Sequence, residues 1–465
     1  MHRRAFLFGT AAAAFGLAAR AASAGADLPG ISLLDLRGPL PEADATLRPG
    51  AVDDQSAALQ AAIDRAVLDD RPLFLPPGRY EVSNITLRDG LTLVGVPGRT
   101  RLVYGGGGHL IEAIAARGVG LQGLVLDGAN RPFAGYASGL VQFNGVADMV
   151  LDGVEVMGSP RAGLALERVS GRVTRCRVSG SREAGLWSVD AAGLSITDNT
   201  VSDCGGGGIL VHRWEAGDDG TIVTGNRVER IAARRGPSAP QGNGIHLVRA
   251  AGVLVANNRL ADCAVSAIRA EAGANLQITG NSCLRSGAAA IRATDGFEGA
   301  LVSENVVDGA GAGVALADFA GAGDGRPAGG RLALVAGNLI RNLSAAAPDA
   351  ATWPATGGTG ILVEADTAVT GNVIDTAAGA GILMGWGPAL RDVSASGNVI
   401  RNARIGVAVS VVDGAGASVI TDNLMSVIAD GGVRGMRWAE AVTGDLAVAG
   451  DPTLAHLTVR GNKVA

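Results

Sequence analysis

The chain has 465 residues, of which 71 are glycine, 3% are aromatic and 18% are charged, and its formal net charge is −5. An apolar content of 47% excludes an intrinsically disordered chain, the lack of a three-residue glycine period excludes collagen, and the mild acidity argues against nucleic-acid binding. After the N-terminal region no segment reaches the roughly 18 apolar residues of a membrane helix, so we expect no stable membrane insertion of the mature protein.

The N-terminus has the layout of an export signal. Arg3 and Arg4 precede a short apolar run, and an Ala-Ser-Ala tripeptide ending at Ala24 follows as a cleavage site. The arginine pair followed by Phe-Leu resembles the twin-arginine type, but His2 stands where that signal usually has Ser or Thr, so the Sec route also stays open. We therefore predict that residues 1–24 are a signal peptide and that the mature protein is periplasmic or secreted.

The segment Asp54–Leu68 is predicted to be the best helix in the chain, with Asp53 or Asp54 as its N-cap. A stack of repeats has an open apolar end that needs a polar cap, and this helix would supply it. We assign residues 25–110 to this N-terminal cap and the first coils.

Downstream, a pattern of the form apolar-x-x-Asn-x-apolar recurs. Its asparagines are Asn199, Asn226, Asn258, Asn281, Asn305, Asn338, Asn372, Asn398, Asn423 and Asn462. They are 23 to 39 residues apart, which indicates a fixed unit of about 23 residues with insertions. Between them lie alternating segments such as Gly244-Ile245-His246-Leu247, and this period of two predicts strands.

Short strands at this spacing, punctuated by glycine, are typical of a parallel β-helix. We predict an all-β fold, a single-stranded right-handed parallel β-helix of about a dozen coils over residues 111–465, capped by the N-terminal helix. The repeated asparagine predicts an internal ladder that bonds one coil to the next. The same register places Cys204 and Cys263 two coils apart, which is too far for a disulfide, so we expect no disulfides.

The stretch Asp53–Gly108 combines the predicted helix with Leu-Pro-Pro-Gly-x-Tyr and Leu-x-Leu-x-Gly, and it resembles the N-terminal module of the pectate-lyase superfamily. With the arginine pair and the asparagine repeats, the whole chain resembles the exported Tat-translocated repetitive protein family. This resemblance implies a pectate-lyase-like right-handed β-helix. It implies no single activity, because the superfamily hosts lyases, epimerases, hydrolases and non-catalytic proteins.

One face of the predicted solenoid carries an unusual column of charges. In the alternating strands the apolar residues face inward, so the positions between them should face solvent, and these include His246, Arg269 and Arg292 at 23-residue steps. Stacked coils would place these residues about 4.8 Å apart. Because stacked arginines repel each other, we expect an anionic ligand such as a uronate carboxylate to account for them.

Four further residues complete the candidate site. His212 and Glu271 lie in the next outward column, Arg213 follows His212, and Trp187 lies two coils before His246. Trp187 would stack on a sugar ring, while Arg213 and Glu271 would contact substrate. The alternative for Glu271 is a solvated ion-pair ladder with the arginines.

These residue types suit β-elimination or C5 epimerisation of a uronate. Arg269 and Arg292 would neutralise the carboxylate, His246 would take the C5 proton, and His212 or Arg213 would act on the leaving side.

In polygalacturonases and other pectin-acting relatives, the catalytic strand has the same Gly-apolar-x-apolar form, and Arg269 and Arg292 occupy its x position here. The paired aspartates of inverting hydrolysis are missing, as is the Asp-Pro-His-Asp motif of alginate epimerases, so hydrolysis is disfavoured. Insertions flank this face and are expected to form groove walls at residues 213–220, 230–243, 318–330 and 344–359.

No Cys and His spacing suits zinc or haem, and the sequence requires no cofactor, although Glu215, Asp218 and Asp219 could hold Ca²⁺. The primary hypothesis is an exported protein that binds or acts on acidic polysaccharide, as a lyase or epimerase if it is an enzyme. The alternative is a non-catalytic envelope protein that binds glycan or a protein partner along the same face. A third hypothesis is a folded carrier exported with a metal.

Overall fold

The computed structural model describes residues 46–233, 241–318, 329–344 and 357–465. In these ranges the chain winds as a stack of coils that build three parallel sheets, here called A, B and C. The predicted signal peptide and the start of the predicted cap region lie outside the described residues. So do parts of three of the four insertions that were expected to form groove walls.

Sheet A contains the strands Leu73–Phe74, Thr92–Val94, Gly120–Gln122, Met149–Asp152, Gly171–Thr174, Ser195–Thr197, Ile222–Thr224, Leu254–Ala256, Ala274–Thr279, Glu298–Ser303, Arg331–Ala336, Ala365–Thr370, Arg391–Ser396, Ser418–Thr421 and Leu457–Arg460. Sheet B contains Gly78–Val82, Thr100–Tyr104, Val125–Asp127, Glu155–Met157, Arg177–Ser179, Thr200–Ser202, Arg227–Ile231, Arg259–Cys263, Leu339–Leu343, Leu424–Ile428 and Lys463–Val464. Sheet C contains Ile85–Thr86, Ile111–Ile114, Gly139–Asn144, Ala162–Glu167, Ala184–Val189, Gly207–Asp218, Asn243–Ala251, Ile268–Glu271, Ile361–Val363 and Val433–Arg437. Four long strands run from sheet B into sheet C: Ser282–Thr294, Val306–Leu316, Val373–Met384 and Val399–Ser410. A final strand, Glu440–Asp445, pairs antiparallel with Val433–Arg437, and a short 3₁₀ turn covers Gly387–Ala389.

The parallel β-helix expected from the repeats is confirmed, and thirteen of its sheet A strands lie within residues 111–465, where about a dozen coils were expected. The asparagine motif identifies only the later coils, whereas sheet A has fifteen strands in the described residues. The earliest coils lack the asparagine, so the pattern could not count them.

The capping helix α1 covers Ser56–Leu68, two residues shorter at its start than expected. Asp54 does not act as the residue directly before the helix. Instead it forms a parallel bridge with Glu81, and its carboxylate accepts a hydrogen bond from the Ser56 N–H at 2.9 Å. The buried side of the helix is formed by Leu59, Ala62, Ile63 and Ala66, and it packs on the first coils as a cap.

The asparagine ladder is present at the turn between sheets A and B. From Asn199 to Asn462, each side-chain Nδ2 donates to the Oδ1 of the next asparagine at 2.8–3.0 Å. The residue before each asparagine has a left-handed backbone, with φ between 55° and 68°, which explains why glycine, aspartate or asparagine usually stands there. The ladder therefore satisfies buried polar groups while the turn repeats unchanged.

Glycine opens many sheet C strands because neighbouring coils approach closely there. A Cβ atom on Gly208 would overlap the carbonyl oxygen of Gly244 in the next coil, and a Cβ on Gly360 would overlap the carbonyl oxygen of Gly381. The glycine of the Gly-apolar-x-apolar pattern is thus a packing requirement.

The core is a continuous apolar column inside the three sheets. All four cysteines belong to its buried residues and are unpaired, and burial raises the pKa of Cys176, Cys204 and Cys263 to about 12. They behave as small apolar side chains. In the described part of the chain, no helix combines the length and apolarity needed to span a bilayer.

Candidate functional site

The pairing register of sheet C brings the predicted basic residues into one column. His246 pairs with Arg269, and Arg269 pairs with Arg292. Towards the N-terminus the column continues through Leu210 and Trp187. Three residues that are 23 positions apart in sequence therefore lie side by side on consecutive strands.

The expectation that this column faces solvent along its whole length is wrong. His246 is only 4% exposed. After Arg292 the column continues as Ala315, Leu362, Leu383 and Ala408, all of which are buried in a second apolar cluster outside the main core. The alternation of the sequence shows which side of the strand a residue occupies, but it does not show what packs on the outer side.

A buried carboxylate joins His246 to Arg269. Arg269 Nε donates to Glu271 Oε1 at 2.6 Å, and His246 Nε2 lies 3.3 Å from Glu271 Oε2, as a close electrostatic contact and not an aligned hydrogen bond. The Glu271 side chain is 16% exposed. Burial alone would raise the pKa of Glu271, but its interactions with His246 and Arg269 outweigh burial and lower it to about 2. We call these three residues the His246 cluster.

Glu271 relieves the repulsion expected between stacked arginines. Its negative charge lies between the imidazole of one coil and the guanidinium of its own coil. Arg292 lies on the next strand and interacts electrostatically with the carboxyl of Asp318. Burial raises the pKa of Asp318, and the positive charge of Arg292 offsets part of that increase. Of the solvated ion-pair ladder considered for Glu271, the structure shows the pair with Arg269, and both side chains of that pair are largely buried.

His212 and Trp187 form the next part of the site. Trp187 Nε1 donates to His212 Nδ1 at 3.3 Å, and the His212 ring meets the His246 ring edge-to-face at 5.1 Å. Burial, and then the neighbouring His246, lower the pKa of His212 to about 3. A ring that accepts a hydrogen bond at Nδ1 and stays neutral carries its proton on Nε2. His212 thus holds no imidazolium proton to deliver at neutral pH, and its Nε2 is buried without a hydrogen-bond partner.

Arg213 is committed to neighbouring protein groups. Its guanidinium donates to the Ala191 carbonyl at 3.3 Å and lies 3.5 Å from a carboxylate oxygen of Asp219, which is 3% exposed. Asp219 also accepts a hydrogen bond from the Thr221 hydroxyl. In the described ranges, no group of three or more His, Cys, Asp or Glu side chains is placed to hold a metal ion. The three acids considered for Ca²⁺ accordingly do not form one site, because Glu215 is exposed whereas Asp219 is buried.

Sequence reasoning missed a groove on the same face, in the coils before the His246 cluster. This N-terminal groove has a volume of about 340 Å³, and its lining includes Glu112, Tyr136, Gln142, Glu167, Trp187 and Trp214. Glu112 pairs with Gln142, and Gln142 pairs with Ala165 beside Trp187, so the groove floor continues the column of His246. The alternating segment Leu110-Ile111-Glu112-Ala113 carried the signal, but it lies in coils without the asparagine motif.

One of the insertions that were expected to form groove walls, residues 213–220, reaches this groove. The pairing register of strand Gly207–Asp218 shifts between His212 and Gly217, and the extra residues bulge from the sheet. Trp214 lies in this bulge with 57% of its surface exposed, and it lines the N-terminal groove. The insertion therefore contributes one wall.

Sequence reasoning also missed the ionisation of Glu364. Its side chain is fully buried beyond Arg292, and Glu364 Oε2 accepts a hydrogen bond from the Asp318 N–H at 2.8 Å. Burial raises the pKa of Glu364 to about 7. No sequence pattern distinguishes this glutamate from an exposed one.

Comparisons with known proteins support the fold. A family model described as a right-handed β-helix region matches residues 138–322, whereas no curated protein matches the chain. The chain is a right-handed parallel β-helix.

Solved structures of similar fold have little sequence in common with this chain. Pre-mature gene product 12 of bacteriophage phi29 is 15% identical with a TM-score of 0.52, over 86% of this chain and 56% of that one. A PL6 alginate lyase in complex with a trisaccharide is 13% identical with a TM-score of 0.51, over 90% and 94% of the two chains. The A-module of a mannuronan C-5 epimerase from Azotobacter vinelandii is 17% identical with a TM-score of 0.47, over 90% and 96%. This chain spans little more than half the length of the phage protein, and at these identities the likeness shows the fold alone.

Proposed function

We propose that this protein is exported and binds acidic polysaccharide along the outward face of sheet C, where it acts as a lyase or epimerase on uronate residues. The observation that carries the proposal is the continuous column from the N-terminal groove to Arg292. It places aromatic surface, a histidine and two stacked arginines on one sheet face. Arginine suits a uronate carboxylate because its planar guanidinium can donate two parallel hydrogen bonds.

The His246 cluster supplies the chemistry. The Glu271 carboxylate favours the imidazole proton on Nε2, which leaves Nδ1 as the basic nitrogen. In this proposal Nδ1 takes the C5 proton, while Arg292, together with Arg269, stabilises the charge that spreads into the carboxylate. Elimination then forms the C4=C5 bond as the C4–O bond breaks. Epimerisation instead returns a proton to the opposite face of C5.

His212 has a narrower role than the leaving-group acid suggested by the sequence. Because its pKa is about 3 and its Nε2 is buried, His212 cannot transfer a proton as an imidazolium would, and it positions the neighbouring Trp187 and His246 rings instead. Solvent supplies that proton in this scheme. Trp187 fixes the His212 ring through its N–H and presents an aromatic surface to the groove. Arg213 holds the bulge that carries Trp214.

A non-catalytic glycan-binding protein is the second candidate, and one observation favours it. The His246 ring is 4% exposed, which is a small surface for a base that must reach C5 of a polymer. In that case the column would bind uronate without catalysing elimination or epimerisation. The PL6 alginate lyase, similar in fold, was solved with a trisaccharide, and this supports carbohydrate as the ligand class under either candidate.

Incubating the mature protein with polymeric uronans in D₂O separates the candidates. A lyase produces the absorbance of an unsaturated uronate, an epimerase exchanges C5 hydrogen for deuterium as seen by NMR, and a binding protein does neither but gives a calorimetric binding signal. Arg269→Ala and Arg292→Ala should each weaken binding and any turnover at least tenfold. Arg177→Ala, in the sheet B strand Arg177–Ser179, is the matched control. If the two site variants bind uronan as well as this control, the proposal is wrong.

A further inference from the structure

The outward column of sheet C carries a carboxylate, Glu112, in the N-terminal groove and two arginines, Arg269 and Arg292, at its other end. Along the column the order is Glu112, Gln142, Ala165, Trp187, Leu210, His246, Arg269 and Arg292. The carboxylate of Glu112 and the guanidinium of Arg269 are six coils apart, or about 29 Å at roughly 4.8 Å a coil. A single extended oligosaccharide can therefore contact both ends.

The charge of Glu112 has no cationic partner among the described residues. Its Oε2 accepts a hydrogen bond from Gln142 Nε2 at 2.7 Å, and its Oε1 lies 3.8 Å from His109 Nε2. Burial lowers the pKa of His109, which keeps that ring neutral at neutral pH. The His109 Nε2 atom is buried without a hydrogen-bond partner, and Nδ1 contacts the Tyr136 hydroxyl at 2.9 Å. A uronate placed over this part of the groove would meet a carboxylate and no arginine.

The other carboxylate of the groove is neutralised. Glu167 contacts Arg168 Nη1 at 2.5 Å and accepts a hydrogen bond from Asn144 Nδ2 at 3.2 Å. Gln142 Oε1 accepts the Ser138 N–H at 3.1 Å, so its amide orientation is set. Carboxylate and amide oxygens of this kind accept hydrogen bonds from sugar hydroxyls.

Aromatic side chains complete the groove. Tyr136 is 61% exposed and Trp214 is 57% exposed, and both line it together with the partly buried Trp187. With the buried Phe143, four aromatic residues line this groove in a chain that has 3% aromatic residues. Exposed aromatic side chains gathered around acceptor oxygens match the two faces of an uncharged pyranose, which has apolar C–H surfaces and a rim of hydroxyls.

We infer that the N-terminal groove binds uncharged sugar residues, and that the ligand is a heteroglycan whose neutral residues lie three to six coils from the uronate held at Arg269 and Arg292. This inference rests on the proposed function and narrows its substrate class. Glu112 selects against a homopolymeric uronan, because each uronate laid over the groove would face an uncompensated like charge.

Isothermal titration calorimetry with three hexasaccharide probes tests this inference. The probes are a homo-oligouronate, an uncharged oligoglucan, and a block probe in which uronate at one end is followed by neutral sugars. Wild-type protein should bind the block probe at least tenfold more tightly than the homo-oligouronate. Glu112→Gln should strengthen binding of the homo-oligouronate about threefold to tenfold, because it removes one like charge. Trp214→Ala should weaken binding of the block probe about tenfold.

The controls separate this inference from the proposed function. Trp438→Ala removes another exposed tryptophan outside the groove and should leave all three affinities unchanged. Equal wild-type affinity for the homo-oligouronate and the block probe, or no gain from Glu112→Gln in a variant that keeps the wild-type circular dichroism spectrum, overturns the inference alone. If Arg269→Ala leaves uronate binding intact, the proposed function fails whatever Glu112 and Trp214 do. If neither uronate-containing probe binds wild-type protein, both fail.

Discussion

Replacing Glu271 with glutamine is the most direct perturbation of the His246 cluster. The substitution keeps the shape of the side chain but removes the charge that lies 3.3 Å from His246 Nε2 and accepts the Arg269 Nε–H at 2.6 Å. An amide also turns one acceptor oxygen into a donor, and both neighbours of this position are donors. The variant therefore leaves a buried guanidinium without its counter-charge.

The pKa of Glu271 sets the size of the effect. A decrease from 4.5 to about 2 corresponds to about 3 kcal/mol of preference for the ionised form in the folded protein, at roughly 1.36 kcal/mol per pKa unit. The side chain is 16% exposed, so solvent screening reduces this value less than at a surface pair. We expect Glu271→Gln to lower the free energy of unfolding at pH 7 by about 2–4 kcal/mol.

The sign of the pH dependence follows from the depressed pKa. The carboxylate stabilises the fold fully above the unfolded-state pKa near 4.5, and this stabilisation is lost as the pH falls towards 2. Urea denaturation followed by circular dichroism should therefore show a large difference between wild type and variant at pH 7 and a much smaller one at pH 3. Glu155→Gln is the control, because Glu155 lies 3.6 Å from an Arg177 side chain that is 62% exposed. A loss no larger than that of the control, or one independent of pH, would refute the assigned electrostatics.

Two further predictions concern buried polar groups elsewhere. Asn281→Ala should lower the free energy of unfolding by about 3–5 kcal/mol in urea denaturation, because it removes the hydrogen bond to Asn305 and leaves two N–H donors of Asn258 without their acceptor. The control Asn402→Ala removes an exposed hydrogen bond to Asp375 and should cost less than about 1 kcal/mol. Equal losses would contradict the ladder. Glu364→Gln should stabilise the protein at pH 8 by up to about 3 kcal/mol. The pKa of Glu364 is about 7 in the folded protein and near 4.5 in the unfolded chain, so between these pH values the folded state keeps a proton that the unfolded chain releases. The free energy of unfolding of the wild type therefore falls as the pH rises from 4.5 to 7. A parallel pH profile in wild type and variant would contradict the raised pKa.

The fold could be predicted because its determinants are local and repeat. Each ladder asparagine follows a residue that must adopt a left-handed backbone, and many close coil contacts in sheet C require a glycine such as Gly208. Both requirements recur in the sequence at the spacing of the coils, so the register alone was enough to predict that His246 stacks on Arg269. The asparagine pattern does not mark the first coils, because their turns lack that residue.

The candidate site was predicted in position but not in environment. Alternation placed Leu362 and His246 on the outer side of their strands, yet both are buried. Leu362 belongs to a second apolar cluster, and His246 lies against His212 and Glu271. The contact of Trp214 with the N-terminal groove depends on a bulge that a strand pattern does not reveal. The ionisation of His212 and Glu364 follows from burial, which two-residue periodicity does not report.

The two ends of the outward column give the proposed ligand a direction. Beyond Arg292 the column is apolar and closed, with Ala315 and Leu362 fully buried, so a chain held at the arginines can extend along the column only towards the N-terminal coils. In that direction it passes Trp187 and then reaches Glu112. Because the arginines lie at one end of the column and the Glu112 carboxylate at the other, the ligand should have uronate at the arginine end and neutral residues towards Glu112. Reversing that order in a synthetic oligosaccharide should therefore weaken binding, although composition and net charge are unchanged.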